Sequence, residues 1–220
     1  MQKELHFEFK ARYFTSGAIT TQTRNIWFVL HGYGQLAQYF IRKFEILKPP
    51  ETVVIAPEGL SRFYLQDVNT RVQSGNAKVG ATWMTRENRL TDIENYLNFL
   101  CKLYRTEIPN DYTGHITILG FSQGAATASR WATDSRIRFN RLILWAGVFP
   151  PDMNLEQAGS LLQRKEVLQV YGTNDPFMNE LRLAEMQQIN ARLGVTPRVI
   201  TFTGKHEINT EVLKQISEGN

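Results

Sequence analysis

The chain begins with a stretch of strict alternation. Between residues 4 and 13, apolar residues occupy every second position and polar or charged residues occupy the positions between them. The apolar positions are Leu5, Phe7, Phe9, Ala11 and Tyr13. A period of two is typical of a strand with one face buried and the other in water. We therefore expect residues 4–13 to form an antiparallel strand near the edge of a sheet.

The later apolar segments are continuous instead of alternating. Short runs of this kind suit strands whose two faces are both covered by helices, as in a parallel sheet. The predicted strands are Ile26–Leu30, Val53–Ala56, Ile116–Leu119, Leu142–Trp145, Val167–Tyr171 and Val199–Phe202. Helical patterns are predicted over residues 90–104, 123–133, 177–193 and 208–217. Alternation of strands and helices predicts an open, mostly parallel, doubly wound α/β sheet with an antiparallel N-terminal strand.

Composition narrows the class of protein. The 220 residues are 42% hydrophobic and 21% charged with a net charge of +4, which excludes intrinsic disorder. One cysteine excludes a disulfide framework and fits a cytoplasmic protein. No apolar run reaches the roughly 18 residues of a membrane span, and the basic residues form no patch, so we expect neither integral membrane association nor nucleic-acid binding. We treat residues 1–220 as one domain of unknown oligomeric state.

Ligands of open α/β sheets bind beyond the carboxyl ends of the strands, and a candidate nucleophile lies there. Gly120-Phe121-Ser122-Gln123-Gly124 follows a predicted strand and precedes a predicted helix. This G-x-S-x-G pattern in a strand–turn–helix context lifts the serine hydroxyl clear of the sheet. A structural glycine-rich turn is the alternative interpretation.

A serine nucleophile needs a base, and the base needs an acid that orients it. Of four histidines, only His206 both follows Ser122 and comes just after a predicted strand. Asp175 directly follows the penultimate strand, while Asp152 lies in a proline-rich loop and is the weaker candidate for the acid. Asp175 could also cap a helix before Pro176. The order Ser, Asp, His is that of the α/β-hydrolases.

The developing negative charge of an acyl-transfer intermediate needs hydrogen-bond donors. The amide after the nucleophile, that of Gln123, is one candidate. The second is the amide of Tyr33 in His31-Gly32-Tyr33-Gly34, a glycine-containing turn after an early strand.

The same turn permits a rival hypothesis. Residues 32–37 match G-x-G-x-x-A, and Glu58 lies about 20 residues further on, as in a dinucleotide-binding fingerprint. The chain would then be a nicotinamide-dependent oxidoreductase. That hypothesis leaves Ser122, Asp175 and His206 without a role.

Taken together, the motifs resemble the phospholipase/carboxylesterase family of α/β-hydrolases, which includes acyl-protein thioesterases. The residues that carry the resemblance are HGYG at 31–34, GFSQG at 120–124, Asn174-Asp175 and Lys205-His206. The resemblance implies a sheet of seven or eight strands, no large cap domain, and a serine esterase without metal or organic cofactor. It implies these roles: nucleophile Ser122, base His206, orienting acid Asp175, and oxyanion donors Tyr33 and Gln123.

We therefore expect a hydrolase of small carboxylic esters, thioesters or lysophospholipids. Two long connections, residues 57–84 and 147–160, could line the substrate pocket through Trp83 and Phe149, although core packing is an equal alternative for both. Cys101 falls on the apolar face of a predicted helix and is expected in the core. A catalytically silent binding protein of the same fold is the second functional alternative.

Overall fold

The structure, a computed structural model, describes residue 1, residues 3–75 and residues 77–219. Its main sheet has seven strands in the spatial order β1-β3-β2-β6-β7-β8-β9, and every neighbouring pair is parallel except β1 with β3. The strands are β1 (Tyr13–Thr15), β2 (Asn25–Leu30), β3 (Thr52–Pro57), β6 (His115–Phe121), β7 (Arg141–Trp145), β8 (Glu166–Gly172) and β9 (Arg198–Phe202). This mostly parallel sheet confirms the predicted fold class.

Helices follow the parallel strands, as the sequence pattern predicts. The α-helices of the described residues are α1 (Ala37–Phe40), α2 (Val68–Ser74), α3 (Arg89–Glu107), α4 (Gln123–Ala132), α5 (Leu155–Leu162), α6 (Glu180–Leu193) and α7 (Thr210–Glu218). A 3-10 helix, Ile41–Phe44, continues α1. Within the described ranges, no helix is long and apolar enough to cross a bilayer.

Strand β2 shows why the central strands have continuous apolar sequences. Ile26, Phe28 and Leu30 belong to the core on one face of the sheet, whereas Trp27 and Val29 belong to the core on the opposite face. None of the five is more than 1% exposed. Helices cover both faces of the sheet and exclude water from them. Odd and even positions of the strand are therefore both apolar.

The predicted N-terminal strand is wrong in extent. Only Tyr13–Thr15 pairs with β3, antiparallel and at the sheet edge, as expected. In that register Tyr13 lies opposite Pro57, the last residue of β3, so the residues before Tyr13 have no strand beside them. Alternation records a preference for an extended conformation, but a ladder also needs a partner of sufficient length.

Two of the predicted connections contain regular structure. Residues 57–84 include a second, two-stranded antiparallel sheet of β4 (Ser61–Tyr64) and β5 (Val79–Thr82), with α2 between its strands. The backbone at Gly80 packs closely on the backbone at Gly34, so a Cβ on Gly80 would collide with the Gly34 carbonyl. Residues 57–84 therefore pack against the turn that follows β2. The connection 147–160 likewise contains the start of α5.

Candidate active site

The turn at Ser122 joins β6 to α4 with a strained backbone. Ser122 has φ 54° and ψ −116°, a conformation that L-residues rarely adopt. A Cβ on Gly120 would collide with the carbonyl of Gly124, and a Cβ on Gly124 would collide with the carbonyl of Leu30. Both glycines are therefore required by close backbone approach. The turn leaves the Ser122 side chain partly exposed at the carboxyl end of the sheet.

Asp175 and His206, which are 31 residues apart in the chain, form a direct hydrogen bond. Nδ1 of His206 lies 2.7 Å from Oδ2 of Asp175, so the imidazole donates to the carboxylate. Oδ1 of the same carboxylate accepts from the amide of Phe177 at 2.9 Å. Asp175 is 5% exposed, whereas the side chain of His206 is 21% exposed. This bond fixes the tautomer in which Nε2 is the free, proton-accepting nitrogen.

The ring of His206 lies beside the serine turn. It packs against Phe121, the residue before Ser122, with ring centroids 4.8 Å apart, and against Phe177 at 4.7 Å. Among the described residues, no hydrogen bond joins the Ser122 hydroxyl to the imidazole. Catalytic hydrogen bonds are often long before substrate binds, so this arrangement is compatible with a serine–histidine pair. The assignment of the three roles remains a prediction.

The turn after β2 runs directly past Ser122. A Cβ on Gly32 would lie 3.2 Å from the Cβ of Ser122. Across the part of the chain that the structure describes, the amides of Tyr33 and Gln123 have no protein acceptor, although their neighbours Gly34 and Ser122 do. Two unpaired N–H groups at a serine turn are the donors that an oxyanion requires.

One short segment connects these two loops. The side chain of Gln123 bonds to Thr82 and Met84 through Nε2 (2.9 Å each), and its Oε1 accepts from the amide of Trp83 (3.1 Å). The indole N–H of Trp83 donates to the carbonyl of His31 at 2.8 Å, and the two rings stack. Residues 82–84, which we call the tie segment, therefore bond to the serine turn through Gln123 and to the Tyr33 turn through the indole of Trp83.

The two residues predicted to line the pocket are deeply buried. Trp83 is 2% exposed and Phe149 is 0% exposed. The contacts recorded for both are with the protein core. Their pocket role therefore stays a prediction. Sequence reasoning missed a groove of about 490 Å³ beside the Tyr33 turn, whose lining includes Gly34, Tyr39 and Leu65.

Asp152 has a different environment from Asp175. Its carboxylate forms ion pairs with Arg89 and with Arg130, the latter only 8% exposed. These pairs connect the loop after β7 to α3 and α4. Asp152 makes no contact with His206 among those that the structure describes, so the geometry favours Asp175 as the acid.

Glu58, the acidic residue of the rival dinucleotide hypothesis, is also committed elsewhere. It is 1% exposed, pairs with Arg12 and Arg62, and accepts the amide of Ala37 at 3.1 Å. The helix that follows the glycines, α1, is four residues long. A dinucleotide site needs an acidic oxygen free for ribose hydroxyls and a helix dipole for the pyrophosphate, so this geometry disfavours the hypothesis.

Neither a metal cluster nor a reactive thiol is found among the described residues. The described residues contain no group of three or more His, Cys, Asp or Glu side chains that could hold a metal ion. Cys101 is fully buried, and burial raises the pKa of its thiol to about 11. The thiol is therefore uncharged and unreactive at neutral pH.

His31 is a buried structural histidine of the Tyr33 turn. Its Nδ1–H donates to the carbonyl of Gly32 (2.8 Å), and its Nε2 accepts from the amide of Gly59 (2.9 Å). The second bond requires the neutral ring, because only an unprotonated Nε2 can accept a hydrogen bond. Burial is the main cause that lowers the pKa of His31 below 6.5.

This lowered pKa predicts acid destabilisation. Below about pH 6.5 the imidazole binds a proton in the unfolded state but stays neutral in the folded state. The free energy of unfolding is therefore highest above about pH 6.5 and falls as pH drops below it, by up to about 1.4 kcal/mol per pH unit. Urea unfolding of the wild type and of His31→Gln at pH 7.5 and 5.5 measures the effect. The variant should lose less stability than the wild type between these pH values. Burial also lowers the pKa of His115, so some dependence should persist. Equal slopes for the two proteins would contradict the assignment.

Comparisons with known proteins identify the family and the fold. The sequence profile of the phospholipase/carboxylesterase family matches residues 18–218. Among curated proteins the comparison finds no match. The chain is similar to acyl-protein thioesterase 2 of Zea mays (17% identity, TM-score 0.72, 96% of this chain and 97% of that chain). It is also similar to esterase PE8 (20%, 0.67, 96% and 98%) and to YahD with malic acid (16%, 0.65, 96% and 100%).

Structural likeness at such low identity establishes the fold and leaves substrates open. The family profile covers almost the whole chain, including every motif discussed above. The chain is an α/β-hydrolase and belongs to the phospholipase/carboxylesterase family.

Proposed function

We propose that the chain hydrolyses carboxylic esters or thioesters through an acyl-enzyme formed on Ser122. The observation that carries this proposal is the 2.7 Å bond between Asp175 and His206, made by an imidazole that packs against the residue preceding Ser122. A buried carboxylate that orients a partly exposed histidine beside a strained serine turn is the arrangement required to activate a weak nucleophile.

The reaction proceeds in two steps. The Ser122 hydroxyl attacks the substrate carbonyl while Nε2 of His206 accepts its proton. The tetrahedral intermediate collapses, the proton passes from His206 to the leaving alcohol or thiol, and the acyl group stays on Ser122. Water then attacks the acyl-enzyme while His206 accepts its proton, and His206 passes that proton to the Ser122 oxygen as the carboxylic acid leaves. Asp175 stays ionised and stabilises the imidazolium in both steps.

The amides of Tyr33 and Gln123 would hold the oxyanion in both tetrahedral intermediates. Their freedom from protein acceptors and the packing of Gly32 against Ser122 support this role. Donors that are fixed before the reaction lower the barrier most, because no reorganisation is needed as charge develops. The tie segment supplies that rigidity, since it bonds to both loops.

The groove beside the Tyr33 turn is our candidate for substrate binding. Apolar side chains from two elements face it, including Leu36 and Phe40 near α1 and Leu65 after β4. The packing of Phe40 on Phe121, the residue before Ser122, supports this assignment. An open, largely apolar groove suits short acyl or alcohol groups, and a chain-length series of esters and thioesters would rank them.

Ser122→Ala tests the nucleophile. Without the hydroxyl no acyl-enzyme can form, so turnover of p-nitrophenyl acetate should fall by about 10⁴–10⁶-fold. Labelling by a fluorophosphonate probe should disappear as well. Unchanged circular dichroism would show that the fold survives. Ordinary turnover or labelling in this variant would overturn the proposal.

Asp175→Asn and Asp152→Asn form a matched pair. Asparagine at 175 no longer stabilises the imidazolium or fixes its tautomer, so kcat should fall by about 10⁴-fold. Asparagine at 152 weakens ion pairs with Arg89 and Arg130, so it should lower the free energy of unfolding and leave kcat largely unchanged. The reverse pattern would reassign the acid.

Gln123→Ala tests whether the tie segment positions the oxyanion donors. The substitution keeps the backbone amide but removes the side-chain bonds to residues 82–84, so kcat should fall by about 10–100-fold with little change in KM. Gln169→Ala is the control, because Gln169 is more deeply buried than Gln123 and forms two side-chain bonds, both to Asn190. The control should lose stability and keep kcat. A purely structural role for Gln123 predicts the same result for both variants.

A further inference from the structure

Residues 4–12, which we call the N-terminal arm, keep their alternating pattern without burying it. Leu5 is 84% exposed, Phe7 75% and Phe9 54%. The arm lies outside every helix and strand of the structure. Large apolar side chains that recur on one side of an extended segment form a contiguous exposed patch, and such patches mark interaction surfaces.

The backbone of the arm is almost entirely unpaired. The carbonyl of Arg12 accepts the amide of Glu58 at 3.2 Å. Across the described residues, no other backbone hydrogen bond involves the arm. A segment with strand alternation and free N–H and C=O groups is a strand without a partner, and it continues directly into the edge strand β1.

The arm is nevertheless held in place at both ends. Glu4 accepts a hydrogen bond from the Thr91 hydroxyl near the start of α3, and Tyr13 donates to Glu107 at its end. The intervening residues therefore span the length of α3 between these two contacts. Holding the arm extended reduces the conformational entropy that strand pairing would cost.

We propose that the arm pairs, antiparallel, with the arm of a second copy of this chain. A two-fold axis at Phe7 places Phe7 opposite Phe7 and Leu5 opposite Phe9. The side chains of Leu5, Phe7 and Phe9 from both copies then meet on one face of the two-stranded ribbon. Aromatic and aliphatic cross-strand pairs of this kind stabilise antiparallel strands.

The polar face selects the same register. With the axis at Phe7, Glu4 lies opposite Lys10, and His6 lies opposite Glu8. Moving the axis by one residue in either direction sets Glu8 opposite Glu8 or opposite Glu4, and both pairs repel. Half-residue shifts of the axis would place apolar side chains opposite polar ones. Among axes at residues 6, 7 and 8, charge and hydrophobicity therefore agree on the one at Phe7.

Disulfide trapping tests both the pairing and the register. Directly opposed residues of antiparallel strands have Cβ atoms about 5 Å apart, within reach of a disulfide. Phe7→Cys should therefore form a covalent dimer under mild oxidation, and the natural cysteine, Cys101, is buried and does not compete. Leu5→Cys is the matched control, because in this register the two copies of residue 5 are four residues apart, about 13 Å. Equal trapping of both variants, or none of Phe7→Cys, would overturn the proposal.

A charge exchange tests the polar face independently. Lys10→Glu in the Phe7→Cys background should slow trapping severalfold, because Glu4 then faces a like charge. Adding Glu4→Lys to that variant restores opposite charges and should restore the rate, even though it removes the bond to Thr91. Failure of the double exchange to recover trapping would refute the register. The effect of Lys10→Glu should shrink in high salt, since exposed charge pairs are screened.

Discussion

The whole site depends on one backbone turn, in which β6 reverses into α4 at Ser122. The turn forces a positive φ on a serine. It also brings the backbone at the ends of β2, β6 and β7 into direct contact. Gly120 and Gly124 are compulsory because the carbonyls of Gly124 and Leu30 occupy the space that a Cβ would need. The strain is maintained by a sheet buried on both faces, which leaves the chain no alternative path.

Around that turn, polar contacts instead of regular secondary structure hold the loops. His31 bonds to Gly32 and Gly59, Trp83 bonds to His31, and Gln123 bonds to residues 82–84. Each of these side chains is buried or partly buried, so each bond replaces water that cannot enter. The result is a rigid frame beneath the partly exposed Ser122 and His206, which is what preorganised catalysis requires.

Some of this could be predicted from the string of residues. The continuous apolar runs predict the buried parallel strands, because a strand covered on both faces is apolar at odd and even positions alike. The G-x-S-x-G spacing indicates the serine turn, because only glycine tolerates its contacts. The pairing of Asp175 with His206 could be anticipated from the rule that strand ends meet at one edge. The contacts of the tie segment could not be predicted, because the sequence around Gln123 and Trp83 does not indicate which distant residues they contact.

Local constraints follow directly from the order of the residues: which segments are extended or helical, which turn needs glycine, and which side chains can move protons. Which of the potential contacts form depends on the folded chain. The tertiary structure left residues 4–12 without a ladder because β3 ends at Pro57, and it committed Glu58 and Asp152 to arginines instead of ligands. The physical reason is that local pattern reports a residue's preferences, whereas pairing depends on what the rest of the chain brings within hydrogen-bonding distance.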